Sequence, residues 1–127
     1  MLLRTLWIPV AWLTGTTLYE VRLFRIRCVD LSAAVRVQLT ANRIGGMYLE
    51  AEEREGRKAG CHTLILGRSK VQHLPAEALD RLSQALRQSP AAMAGPVCSK
   101  LEEQAAYLRE GGFIGWSPLR RHTEWHA

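Results

Sequence analysis

Several signatures of chemistry are missing from this chain. It contains no Cys-x-x-Cys pair, no His-Glu-x-x-His run, no phosphate-binding glycine loop and no Gly-x-Gly-x-x-Gly fingerprint. Those spacings let a chain hold zinc, build a metalloprotease centre or cradle a nucleotide phosphate, so none of these chemistries has its usual platform here. Cysteine is sparse as well: Cys28, Cys61 and Cys98 form an odd, widely spaced set. A disulfide scaffold would be denser and even-numbered, so a reducing, cytoplasmic setting is expected. There is no internal repeat and no low-complexity tract. The opening stretch, MLLRTLWIPVAWL, is apolar but too short to span a bilayer. With Pro9 interrupting it and no small-x-small cleavage site following, it reads as an element packed into the domain rather than a targeting segment.

The residues that could do chemistry do not gather into a site. Cys61 and His62 are neighbours, but adjacent residues of a strand point to opposite faces and cannot cooperate directly. Glu50 and Glu52 share a strand face roughly 6.5–7 Å apart, yet beside a charged loop they read as solvated. His122 and His126 have helical spacing, and Cys61-His62 could supply further ligands, but without a paired metal motif they read as solvated histidines of the tail. The expectation is no catalytic residue, no metal and no cofactor.

What is present suits a small folded domain. The chain has 127 residues, 47% of them hydrophobic, enough to bury a core in one domain. The net charge is +5. Its excess lies at the front: residues 1–46 hold six Arg against Glu20 and Asp30, a net +4, which leaves about +1 for the remainder.

The clearest element lies within residues 63–88. Leu79, Leu82 and Leu86, with Ala78 and Ala85, form one apolar helical face after Pro75, and Ser89-Pro90 ends it. Glu77 and Arg81 are set for a surface ion pair worth about 0.3 kcal/mol. Residues 62–66 read as a buried strand beneath that helix. Residues 35–41 and 47–52 alternate cleanly and flank a glycine-bearing turn, which predicts a hairpin; the rival, one helix over 32–55, would carry Gly45-Gly46 in its middle. Residues 18–27 read as one strand whose apolar phase switches after Leu23, suggesting a bulge or burial on both faces. Thr14-Gly15-Thr16 is a turn, residues 53–60 a charged loop, and residues 89–96 a flexible connector. Ser99 and Glu102 form a capping box for a second helix that stops at Gly111-Gly112.

The predicted architecture is α+β: an antiparallel meander of about four strands with two amphipathic helices on one face. It occupies residues 1–112 as a single domain, and residues 113–127 form an aromatic and basic tail. Two surfaces could act. Trp7, Trp12, Phe113, Trp116 and Trp125 lie outside the best core elements and suit a protein interface, including one between copies of this chain. Arg22, Arg25, Arg27, Arg36 and Arg43, extended by Arg120 and Arg121, suit phosphate contacts, with Tyr19 and Phe24 available to stack on bases. The leading expectation is a non-catalytic protein that binds another protein. The alternative is a small nucleic-acid-binding or regulatory protein using an Arg-rich sheet face, and no membrane span is expected in either case.

Overall fold

The computed structural model describes residues 11–41, 46–66, 71–112 and 118. Its strands are β1 (Ala11–Thr14), β2 (Thr17–Arg22), β3 (Arg25–Asp30), β4 (Ala34–Ala41), β5 (Met47–Glu53), β6 (Lys58–Leu66) and β7 (Val71–His73). Two helices follow, α1 (Ala76–Leu86) and α2 (Ala94–Arg109). The fold is α+β as expected, but the strands divide into two antiparallel sheets, β1-β2-β3 and β4-β5-β6-β7. A single 3-10 turn, Leu31–Ala33, joins them. Asp30 organises that joint, with one carboxylate oxygen accepting from the Thr16 hydroxyl, the Ser32 hydroxyl and the Ser32 N–H.

The larger sheet is two-sided. Its inner rows, Leu39–Leu49–Cys61 and Val37–Ala51–Ala59, join the apolar core with Leu79, Leu82 and Leu86 of α1 and Val97, Leu101 and Ala105 of α2. Its outer rows are polar: Thr40–Tyr48–His62, Gln38–Glu50–Gly60 and Arg36–Glu52–Lys58. The period-2 alternation of residues 35–41 and 47–52 therefore reports the true hairpin. The smaller sheet adds Ala11, Leu13, Leu18 and Val29 to the same core, and β2 and β3 lie against β6.

Three sequence expectations are corrected. The 18–27 stretch is a hairpin, and its phase switch is a two-residue turn at Leu23-Phe24, not a bulge. The charged loop shrinks to residues 54–57, because β6 starts at Lys58 and buries Ala59 and Gly60. Helix α2 begins at Ala94 with Pro96 in its first turn, so Ser99 is not its cap. Glu102 turns instead to α1, accepting from Ser83 Oγ and pairing with Arg87. The C-terminal stop is as read: Gly111 has φ +76°, its N–H bonds to Leu108, and that of Gly112 bonds to Tyr107, a Schellman ending. No helix among the described residues is long and apolar enough to cross a membrane.

Candidate functional site

The β2–β3 hairpin presents two unlike faces and an unusual apex. Its register pairs Leu18 with Val29, Glu20 with Arg27 and Arg22 with Arg25 on one face, and Tyr19 with Cys28 and Val21 with Ile26 on the other. The connection is Leu23 and Phe24, both at positive φ, +47° and +67°. That geometry matches the right-handed twist of a two-residue hairpin, and Asn-Gly or Asp-Gly normally supply it, since a Cβ is strained there. Leu23 is 86% exposed and Phe24 105%, so neither gains burial for that strain.

The inner face of the hairpin is bolted to the outer face of the larger sheet. Glu20, only 8% exposed, accepts from the Tyr48 hydroxyl at 2.6 Å and from the buried Gly60 N–H at 3.1 Å. Glycine is required at position 60, because a Cβ there would stand 2.3 Å from the Leu49 carbonyl oxygen and 2.6 Å from the Tyr48 ring. Arg27 lies 3.9 Å from Glu20 and 4.0 Å from Glu50, and donates to the Lys58 carbonyl at 2.9 Å. Further along β3, the Asp30 N–H donates to Glu53 at 2.9 Å.

Burial, and then the hydrogen bond to Glu20, keep the Tyr48 hydroxyl protonated well above the usual tyrosine range. The His62 ring meets Tyr48 edge-on at 4.9 Å, and burial holds the imidazole below its ordinary range, with Arg22 adding to that effect and Glu20 opposing it. Cys61 faces the core on the other side of β6, where burial pushes its thiol far up. No nucleophile meets a base here. Among the described residues no group of three or more His, Cys, Asp or Glu could hold a metal. A cleft of about 280 Å³ between the β1–β2 turn and α1 is lined by Leu13, Thr16, Arg81 and Gln84, without acid–base pairing of its own.

Of the arginines singled out from the sequence, Arg22, Arg25 and Arg27 lie on one face of the hairpin, but they differ in their partners. Arg27 is taken up by the junction, and Arg36 pairs with Glu52 at 3.5 Å on the outer face of the larger sheet. Arg22 and Arg25 remain exposed, directly opposite each other beside the apex, with no ion-pair partner among the described residues. Trp12 stacks on Tyr19, ring centroids 5.3 Å apart and planes within 10°, so it belongs to the outward face of the smaller sheet. Trp7, Arg43, Phe113, Trp116, Arg120, Arg121 and Trp125 lie outside the described residues, as does the tail from 113 apart from Pro118. No family model, curated protein or solved structure matches this chain.

The residues that sequence reasoning passed over are Leu23, Ile26 and Glu20. One signal for the hairpin was available. The apolar pattern reflects about the Leu23–Phe24 bond, Tyr19 and Val21 on one side mirrored by Ile26 and Cys28 on the other.

Proposed function

We infer that this chain is a non-catalytic interaction protein, acting through protein–protein contacts made by the outward face of its three-stranded sheet. A second copy of itself is the partner we name first. One observation carries this reading: the rows Trp12–Tyr19–Cys28 and Val21–Ile26 bear no charged side chain, and Ile26 is 66% and Val21 38% exposed. A chain with net charge +5 repels its own copies, so two copies approach most cheaply where no charge is displayed. A face of this kind suits a two-fold contact in which the same patch meets itself. Three free thiols, two of them buried, support a reducing, cytoplasmic setting.

Sedimentation equilibrium over a wide concentration range tests it, comparing the parent with Ile26→Glu and Val21→Glu. The parent mass should rise with concentration, and either variant should stay monomeric while melting like the parent. A parent that is monomeric throughout would remove self-association. Among the described residues the nucleic-acid alternative draws its support from Arg22 and Arg25, since Arg27 and Arg36 are already matched by glutamates.

A further inference from the structure

We propose that the apex of the β2–β3 hairpin, Arg22-Leu23-Phe24-Arg25, inserts into an anionic lipid surface. This reading concerns a different part of the hairpin from the Trp12–Tyr19–Cys28 and Val21–Ile26 rows and does not depend on self-association.

Two independent observations point there. The first is strain without return inside the molecule. Two L-residues with large side chains occupy left-handed backbone at +47° and +67°, and both project into solvent at 86% and 105% exposure. Strained backbone is held in place by the structure around it and clusters at sites that bind or switch. The second is charge. Arg22 and Arg25 stand directly opposite each other, a repulsive cross-strand pair, and neither has an ion-pair partner among the described residues. Two exposed guanidiniums held side by side, neither in an ion pair among the described residues, fit an anionic partner.

The order of these groups selects the partner. The apolar side chains form the apex, and the cations sit one residue behind it on both strands. At the boundary of a bilayer the hydrocarbon lies below and the phosphates above, in that same order. Interfacial binding scales with buried apolar area plus attraction to anionic lipid, the two terms this apex supplies. A single-stranded nucleic acid would use Phe24 as a stacking platform, but Leu23 has no π-face to offer a base. A contact of this kind needs no spanning helix.

The experiment is cosedimentation of the full chain with vesicles of phosphatidylcholine alone and of phosphatidylcholine with phosphatidylglycerol, at low and at high salt. The parent should partition to the anionic vesicles, more weakly at high salt, and far less to the neutral ones. Each guanidinium near an anionic surface is worth about fivefold in partitioning, so Arg22→Gln with Arg25→Gln should lower it about 25-fold. Leu23→Asn with Phe24→Gly, which keeps both arginines and suits the turn, should abolish it, and Leu23→Ser with Phe24→Ser checks that result independently. Circular dichroism should show all variants folded, and the lipid-free mass of the Asn-Gly variant should match the parent, which separates this outcome from that of the self-association test. No partitioning of the parent, or partitioning unchanged in both apex variants, would overturn the proposal. So would retention of single-stranded RNA that is lost with the arginine pair but indifferent to Leu23 and Phe24, which would assign the apex to nucleic acid.

Discussion

Replacing Leu23-Phe24 by Asn-Gly should make the protein more stable. Left-handed backbone costs an ordinary L-residue about 1–2 kcal/mol, so the two residues together store about 2–4 kcal/mol. Glycine is indifferent to the sign of φ and asparagine tolerates it, so most of that strain is released. The extra backbone freedom of glycine in the unfolded chain returns about 0.5–1 kcal/mol. No burial is lost, because Leu23 and Phe24 are 86% and 105% exposed. The net gain should be about 1–3 kcal/mol. Urea unfolding reads it directly: the midpoint should rise while the slope stays the same. A midpoint that is unchanged or lower would refute the strain account and would mean that both side chains pack against something in the folded protein. A stabilised variant that no longer sediments with anionic vesicles would show stability given up for a contact, a common exchange at functional sites.

Three further outcomes follow from the same structure. Glu20→Ala leaves the buried Gly60 N–H and the Tyr48 hydroxyl without their acceptor and should cost about 1–3 kcal/mol, with Tyr48→Phe costing less in that background than in the parent; additive losses in a double-mutant cycle would mean the two groups are not coupled. Leu82→Ala, in the middle of the α1 face and fully buried, should cost about 2–5 kcal/mol by denaturant unfolding, and a variant melting like the parent would remove the docking of α1 on the core. The depressed pKa of His62 means that the unfolded chain takes up a proton there before the folded chain does; its contribution is therefore present above about pH 6.5 and is lost as pH falls through the lower folded value. Stability should accordingly fall from pH 7 toward pH 5 more steeply in the parent than in His62→Asn, and parallel profiles would count against burial as the cause.

Much of the fold was legible because its signals are local. The leucine stripe of α1 sits at helical spacing whatever surrounds it, and Glu77 and Arg81 do pair, at 2.9 Å. Alternation in β4 and β5 marks a sheet with one apolar and one polar side, and Gly111 ends α2 because it adopts positive φ without strain. The capping-box reading of Ser99 and Glu102 failed for a non-local reason. The α1 side chains Ser83 and Arg87 offer Glu102 partners across the helix pair, and the helix starts a turn earlier at Ala94.

The candidate site is where sequence and tertiary structure part. The sequence alone determined that residues 18–27 would favour extended backbone, that the charge excess lies in the first third of the chain, and that no familiar metal or nucleotide spacing is present. Residue preference did not mark Leu23-Phe24 as a turn, because neither residue favours left-handed backbone; the mirrored apolar pattern was the one signal for it. The tertiary structure imposes that turn: Leu18 and Val29 are drawn into one core, and Glu20 and Arg27 are clamped onto Tyr48, Gly60 and Lys58, residues 28 to 40 positions from Glu20 and 31 from Arg27. With both strands held that way, the only chain left to close the hairpin is two residues long, and local preference yields to packing. The same clamp divides the arginines, drawing Arg27 inward to carboxylates and leaving Arg22 and Arg25 beside an apolar apex.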